Sequence, residues 1–229
     1  MKLTLVNKKD EAKGTKSFFF ESEEKLSWIS GQYIYITLPK LNYEDARGAT
    51  RHFTISSSMS EGELIRVTVR VRQESGYKKT LDELSMGTVV EGKGPQGTFV
   101  INENIKDNTY IAGGIGITPF RSMIKYNVDK NLKIPVHLIY SNSDSDFVFK
   151  DELDKLVAVN SNIKISYYDS SVSGHLDVNK LKELCSEDEI KNSTFWTVGP
   201  NVFVNAIEDI LEQLNVPSDK ILTEKFTGY

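Results

Sequence analysis

Three glycines stand between a strand pattern and a helix pattern in the second half of the chain. Gly113, Gly114 and Gly116 lie in YIAGGIGITPFRSMI, directly after an apolar run that ends at Ala112. Ligands of open parallel sheets bind beyond the carboxyl ends of the strands, where residues without side chains let a pyrophosphate approach the N–H groups at a helix start. Pro119 suits a first helical turn, although it breaks the GxGxxG spacing. The segment predicts a phosphate-binding turn, and a tight left-handed turn without a ligand explains the same glycines.

A second turn of this kind follows a later strand pattern. FWTVGPNVFVNAI runs through Gly199 and Pro200 into a helix pattern. Two turns at one end of a parallel sheet can flank a single crevice. An ordinary strand-to-helix loop is the alternative, and this segment alone favours it.

The segment RHFTISSS combines an arginine, an aromatic ring and several hydroxyls. Arg51 could pair with a phosphate, Phe53 could lie against a planar ring, and Thr54 could hydrogen-bond a ring heteroatom. The alternative is a strand with Phe53 turned inward and Arg51 in solvent.

These turns need a framework of alternating strands and helices, and the chain after about residue 104 has that pattern. Strand patterns occupy 109–112, 135–140, 163–168, 194–198 and 220–223, and helix patterns occupy 119–127, 150–160, 178–185 and 202–214. Five strands with four crossovers predict a Rossmann-like α/β domain with a five-stranded parallel sheet.

The residues before this point have the texture of strands and turns. In ELIRVTVRVR, residues 63–72, branched apolar residues alternate with Arg66, Thr68, Arg70 and Arg72, which predicts a strand with one buried and one basic face. Further apolar runs occupy 3–6, 17–20, 33–38, 88–91 and 98–101, with a short helix pattern at 78–84. We therefore predict two domains, an antiparallel Greek-key β-barrel over residues 1–104 and the α/β domain over 105–229.

Composition excludes several classes of function. Of the 229 residues, 28 are Lys or Arg and 32 are Asp or Glu, so the chain lacks the basic field that nucleic-acid binding needs. The single cysteine, Cys185, excludes an intrachain disulfide, a cysteine-ligated zinc site and a four-cysteine iron–sulfur cluster. No metal site is expected. Without an apolar signal core or a run long enough to cross a bilayer, a cytoplasmic protein with no membrane partner is expected.

Taken in order, the segments resemble the ferredoxin–NADP reductase family, whose members have an FAD-binding barrel followed by a nicotinamide-nucleotide domain. The resemblance covers nearly the whole chain. It rests on GQY at residues 31–33, RHFT, SGYKKTL, GPQGTF, GGIGITP, VGP and the terminal TEKFTGY. Each motif is short, but their order is specific.

The resemblance implies FAD contacts in the first domain. Arg51 would contact the FAD pyrophosphate, Phe53 would stack on the flavin, and Thr54 would bond near flavin N5, the atom that exchanges a hydride with nicotinamide C4. The other residues implied as FAD contacts are Val69, Arg70, Val71, Gly76 and Thr80. His52 is a candidate polar contact near the cofactor, and a lone histidine without a partner is more often structural or exposed.

For NADH or NADPH, the resemblance implies contacts in the second domain. The residues concerned are Gly113, Gly114, Gly116, Thr118, Pro119, Ser141, Asn142, Gly199 and Pro200. Glu224 and Phe226 match the family's acidic and aromatic positions near the flavin, and with Thr54 they form the predicted catalytic set. Tyr229 is a second candidate to cover the flavin, and a frayed terminus explains it equally.

Three positions depart from the family's pattern. Val198 stands where many relatives have a cysteine beside the nicotinamide, and Phe53 replaces the usual tyrosine. Asn142 stands where NADP-specific members carry arginine, and Asp144 and Asp146 add negative charge nearby. A 2′-phosphate would be repelled there, so NADH is favoured over NADPH.

The resemblance implies an FAD-dependent NAD(P)H oxidoreductase that passes electrons to a separate one-electron redox protein such as ferredoxin or flavodoxin. Two alternatives stay open. One is an NAD(P)H-dependent reductase of free flavin or ferric iron, against which the intact SGYKKTL argues. The other is a non-catalytic, flavin-containing electron-transfer subunit, against which the intact GGIGITP argues.

Overall fold

The computed structural model describes residues 1–226. The described chain divides into two compact units. The first comprises Met1–Ile101 together with Arg121–Tyr126, and the second comprises the rest of the described chain. Every helix among the described residues is too short or too polar to cross a bilayer.

The first unit is a six-stranded antiparallel sheet. Its elements are β1 (Lys2–Ala12), β2 (Thr15–Ser22), β3 (Tyr33–Thr37), β4 (Thr50–Thr54), β5 (Ile65–Arg70), α1 (Gly76–Glu83) and β6 (Val89–Gln96). The strand order is β4-β3-β6-β1-β2-β5, and a bridge between Ile55 and Val67 joins the two outer strands. Because β3, β4 and β5 follow one another and β6 returns beside β3, the order is that of a Greek key. The predicted barrel is confirmed.

Alternating apolar residues of these strands fill the barrel. Phe18 and Phe20 of β2, Ile34 and Ile36 of β3, and Val67 of β5 are all fully buried. Period-two alternation places them on one face of each strand, which is why short strands of mixed composition suffice to build the core.

The face of β5 that carries Arg66 is not the basic surface that the sequence predicted. Arg66 is 5% exposed, its Nη2 donates to Glu11 Oε1 at 2.7 Å and its Nε donates to Ser17 Oγ at 2.9 Å. The cause is the length of β1, which continues to Ala12 rather than ending at residue 6 and so brings Glu11 to the arginine. A paired charge can be buried where an unpaired one cannot.

One predicted strand is wrong. Residues 98–101 are irregular, although β6 continues to Gln96. The Ile101 amide donates to the Ser30 carbonyl at 3.0 Å, and the Phe99 carbonyl lies 2.2 Å from the position of a Cβ on Gly31. This segment bonds to the loop before β3 instead of extending a ladder.

The second unit is a five-stranded parallel sheet with helices, as predicted. Its strands are β7 (Asn108–Gly113), β8 (Val136–Asn142), β9 (Ile163–Asp169), β10 (Thr194–Pro200) and β11 (Ile221–Phe226). The helices of this half of the chain are α2 (Ile117–Asp129), of which Arg121–Tyr126 group with the first unit, α3 (Lys150–Ala158), α4 (Ser170–Ser173), α5 (Val178–Leu184), α6 (Glu187–Asn192) and α7 (Asn201–Gln213). The order β11-β10-β7-β8-β9 reverses direction at β7, and ligands of such sheets bind where the order reverses. The prediction did not include the short helices α4 and α6.

Candidate functional site

A buried arginine dominates the end of β4. Arg51 is 8% exposed, and its Nη1 donates to the carbonyls of Arg47, Gly48 and Thr50 at 2.9, 3.0 and 2.7 Å. Its Nη2 donates to the carboxylate of Asp45. The alternative of an arginine in solvent is therefore wrong. Three carbonyls fix the guanidinium, which leaves its other edge for an anion.

The anion that Arg51 binds is the carboxylate of Asp45, which lies against the start of α1. Asp45 also accepts hydrogen bonds from the amides of Tyr77 and Arg47, at 2.9 and 3.0 Å, and from Ser75 Oγ at 3.0 Å. Burial by itself raises the pKa of Asp45, but these hydrogen bonds and the charge of Arg51 together lower it to about 2. A guanidinium and a helix start that hold one anion so firmly are donors that suit the phosphates of FAD.

Two other predicted FAD residues lie at the same helix start. Gly76 is the first residue of α1, and the Thr80 hydroxyl donates to its carbonyl at 2.8 Å. Both are buried. The structure thus brings Arg51, Gly76 and Thr80 together. Sequence reasoning included Ser75 and Tyr77 only as part of SGYKKTL and missed Asp45, because nothing local connects Asp45 to a helix 30 residues further on.

The aromatic residues of β4 fall on two faces. The half-buried Phe53 ring lies 5.9 Å from the Tyr77 ring, with Arg51 over Tyr77 at 5.1 Å. His52 is on the opposite face, where its ring contacts Tyr33 and Tyr35 at 5.2 and 5.6 Å. The sequence prediction placed His52 with Arg51 and Phe53, but the strand separates it from them.

The remaining predicted FAD residues have mixed environments. Thr54, the last residue of β4, is 6% exposed. The Val69 side chain belongs to the barrel core, so only its backbone is open to a ligand. Arg70 and Val71 are half-buried, and the Val71 amide donates to the Gly14 carbonyl at 2.8 Å.

In the second unit, the two glycine turns lie directly against each other. A Cβ on Gly116 would lie 2.3 Å from the carbonyl oxygen of Val198, and a Cβ on Gly199 would lie 3.2 Å from Cα of Gly113. A Cβ on Gly113 would lie 2.6 Å from the Phe203 ring. Packing alone therefore requires glycine at these positions, whether or not a nucleotide binds there.

The residues that follow the first turn begin α2. Gly114 has a left-handed φ of 55° and opens one turn of 3-10 helix. Thr118 is 2% exposed and its hydroxyl donates to the Ile115 carbonyl at 3.1 Å, while Pro119 is buried in the first turn of α2. The backbone of this turn, rather than the Thr118 hydroxyl, remains for a phosphate.

At the end of β8, Asn142 organises an acidic loop. Its side-chain amide donates to Asp144 Oδ1 at 2.8 Å and to the Asp146 carbonyl at 3.3 Å. Asp144 Oδ1 also accepts from the Asp146 amide at 3.0 Å. The adjacent Ser141 is 7% exposed. The loop has two carboxylates and no arginine, so it offers no clamp for a 2′-phosphate.

Glu224 is a half-buried acid on the outer strand β11. Its Oε2 is buried and has no hydrogen-bond partner among residues 1–226, and burial raises the pKa of Glu224 to about 7. An acid of this kind holds or releases a proton near neutral pH. Phe226 is half-buried and pairs in register with Pro200. Tyr229 lies outside the described residues.

A cluster of potential metal ligands lies elsewhere in the second unit. Ligand atoms of His137, Cys185 and Glu189 lie within 4.8 Å of one another. His137 Nδ1 bonds Glu189 Oε1 at 2.8 Å, and His137 Nε2 bonds Ser166 Oγ at 2.9 Å. Burial raises the pKa of the Cys185 thiol to about 12, which disfavours the thiolate that a metal needs. The pairing of His137 with Glu189 explains this cluster.

Comparison with known proteins identifies both units. Residues 2–101 match the oxidoreductase FAD-binding domain family, and residues 110–209 match the oxidoreductase NAD-binding domain family. The chain therefore consists of an oxidoreductase FAD-binding domain followed by an oxidoreductase NAD-binding domain.

Curated relatives contain more than this chain. It is 28% identical to flavohemoprotein A of Dictyostelium discoideum over 97% of its own length and 59% of the relative's. It is 27% identical to an NADPH oxidoreductase of Mycobacterium tuberculosis over 86% of its own length and 51% of the relative's. The chain thus spans little more than half the length of these relatives.

Solved structures share the fold. The flavohem-like FAD/NAD-binding domain of nitric oxide dioxygenase from Vibrio cholerae superposes with a TM-score of 0.83 at 22% identity, covering 98% of both chains. A cytochrome P450 reductase from Amycolatopsis superposes with a TM-score of 0.82 at 19% identity, covering 100% of this chain and 70% of that one.

Proposed function

We propose that the chain is an FAD-dependent reductase that takes electrons from NADH and passes them to a separate one-electron redox protein. The observation that carries this proposal is the anion held by Arg51 and the start of α1. We assign residues 1–104 to FAD binding and residues 105–229 to nicotinamide nucleotide binding.

In the FAD half, Arg51 and the amides at the start of α1 would hold the pyrophosphate. Gly76 and Thr80 would line the phosphate end, and Phe53 would lie against the flavin ring with Thr54 near N5. Only the backbone of Val69 would contact FAD, because its side chain is 2% exposed and lies in the core. His52 is the weakest assignment, since its ring packs against Tyr33 and Tyr35.

In the nucleotide half, the backbone of residues 113–119 and the facing turn at Gly199 and Pro200 would hold NADH. The acidic loop after Asn142 disfavours the additional phosphate of NADPH, because two carboxylates lie there. When bound, FAD supplies two-electron exchange with the nicotinamide and one-electron exchange with an acceptor.

Glu224 would serve as the proton reservoir of the site. Its raised pKa keeps the carboxyl partly protonated at neutral pH, so it can hold a proton at Oε2 without ionising fully. Phe226, two residues further along β11, would cover the flavin. The chain's own part in catalysis is thus to bind, orient and exclude water.

The relatives suggest the kind of acceptor. Flavohemoproteins and a cytochrome P450 reductase are among the similar proteins, and their names pair this module with haem proteins. We propose a haem, iron–sulfur or flavodoxin-type redox protein as the acceptor.

Anaerobic spectra of the purified chain test the proposal. FAD is added, excess is removed, and NADH or NADPH is mixed in while the flavin absorbance is followed. We expect rapid bleaching with NADH and slower bleaching with NADPH. Arg51→Ala, which removes the buried guanidinium, should bind far less FAD. Bound flavin that neither nucleotide reduces would favour the non-catalytic electron-transfer subunit.

One observation favours a second candidate, the reductase that uses flavin as an exchangeable substrate. The phosphate donors are already bonded to Asp45, so FAD must compete for them. Colourless protein that reduces added flavin with NADH would support this candidate.

A further inference from the structure

Four consecutive residues lie across the phosphate end of the proposed FAD site. We call residues 42–45 the strap. At its end, the Asp45 carboxylate takes the Nη2 donor of Arg51 and the Tyr77 amide of α1. These are the two donors that the proposed function assigns to the pyrophosphate.

The rest of the strap covers the other two residues of that site. The Asn42 amide donates to Thr80 Oγ1 at 3.0 Å. The carbonyl oxygens of Tyr43 and Glu44 lie 2.7 and 2.2 Å from the position of a Cβ on Gly76. The backbone of the strap therefore lies directly on the first turn of α1, and only a glycine at position 76 allows this approach.

The outer edge of the strap is tied to the far end of the same helix. Glu83 accepts from the Tyr43 hydroxyl at 2.5 Å and from the Asn42 side-chain amide at 3.0 Å. Lys79 Nζ lies 3.9 Å from the centre of the Tyr43 ring. These contacts are exposed, so each is weak, and together they hold the strap without burying it in the core.

The geometry of the loop allows the strap to move as one piece. The strap belongs to the connection between β3 and β4, whose base is closed by the Leu38 amide bonding the Ala49 carbonyl at 2.9 Å. Residues 42–44 and 46–48 are exposed. The exposed contacts at Glu83 can be replaced by water without opening the barrel, whereas the Asp45–Arg51 pair is buried, with 8% of each side chain exposed, so the phosphates of FAD must take the place of the Asp45 carboxylate.

We propose that the strap is an internal competitor of FAD: the Asp45 carboxylate occupies the phosphate donors, and FAD binds only after the strap has left α1. This inference rests on the proposed function of Arg51 and α1. It makes Asp45 the residue that sets how tightly the cofactor is held.

Competition follows from charge and space. One guanidinium edge and one set of helix-start amides cannot bond a carboxylate and a pyrophosphate together, and the two anions repel each other. The apparent dissociation constant of FAD is therefore the intrinsic constant divided by the fraction of chains with the strap open. Since the pKa of Asp45 is about 2, mild acid does not open the strap.

The test compares the FAD dissociation constants of three apoproteins by calorimetry. Asp45→Asn removes the charge while an amide oxygen still accepts from Tyr77 and Arg47. Glu44→Gln is the matched control, because it removes the same charge from an exposed neighbouring residue. We expect Asp45→Asn to bind FAD at least tenfold more tightly than wild type and Glu44→Gln to stay within twofold. Riboflavin, which has no phosphate, should bind all three alike.

Weaker or unchanged FAD binding by folded Asp45→Asn would overturn the inference, because Asp45 would then position Arg51 for the cofactor. If none of the three proteins binds FAD, the proposed function itself fails. Hydrogen exchange of the wild-type chain needs no variant. On FAD addition, peptides covering residues 42–45 should lose protection, and unchanged or increased protection there would also overturn the inference.

Discussion

Glu224 and Val198 face each other in register on the parallel strands β11 and β10. Val198 carries the carbonyl that a Cβ on Gly116 would touch, so the half-buried acid lies one strand away from the contact between the two glycine turns. The register of one outer strand thus sets where an acid with a pKa near neutrality is held.

Glu224→Gln should remove a pH dependence of stability. Burial raises the pKa of Glu224 to about 7 in the folded chain from 4.5, so the folded state holds a proton that the unfolded state releases. The free energy of unfolding contributed by this group therefore falls as the pH rises from about 4.5 to about 7 and levels off above that, by about 3 kcal/mol in total, of which roughly 1.4 kcal/mol is lost between pH 6 and pH 8. Urea unfolding at pH 6 and pH 8 measures it. An equal pH dependence in Glu224→Gln would contradict the prediction.

Gly116→Ala should destabilise the second unit by about 1–3 kcal/mol, because its Cβ would lie 2.3 Å from the backbone oxygen of Val198 and neither turn can yield easily. Gly62→Ala measures backbone strain without a clash, since nothing lies within 4 Å of its Cβ and its φ is +108°, so it should cost about 1–3 kcal/mol by itself. Denaturant midpoints measure both. Wild-type stability of Gly116→Ala would show that the turns separate freely.

Glu11→Ala should lower the free energy of unfolding by about 3 kcal/mol, because it leaves the buried Arg66 guanidinium without the carboxylate it pairs with. The pair at Lys2 and Glu23 is exposed, with 64% and 61% of the side chains accessible, so Glu23→Ala should have a small effect. Denaturant unfolding of both variants compares the loss of a buried ion pair with the loss of an exposed ion pair in the first unit. Similar losses would mean that Arg66 finds other partners.

Asp144→Asn should raise the use of NADPH relative to NADH severalfold, because it removes a charge from the loop that Asn142 holds together. Asp151→Asn removes the same charge from an exposed position on α3 and should leave the ratio unchanged. The ratio of kcat/KM for the two nucleotides is the measurement. If both variants change it equally, the effect comes from net charge rather than from this loop.

The sequence by itself determined the two sheets and most of their strands. Period-two alternation predicted β5, and apolar runs predicted β7 to β11, because these patterns reflect local chain geometry. The short helix after Ser75 was predicted in the same way. The spacing of the glycines located both turns, because each tight turn needs residues without a side chain.

Only the tertiary structure decided which side chains share a site. It paired Arg51 with Asp45 and Arg66 with Glu11, and it placed His52 on the other face of β4. It also laid residues 42–45 on α1 and buried Glu224 Oε2 without a hydrogen-bond partner in the part of the chain that the structure describes. Such contacts depend on strand length, register and burial, and these are set by the whole sheet rather than by neighbouring residues in the chain.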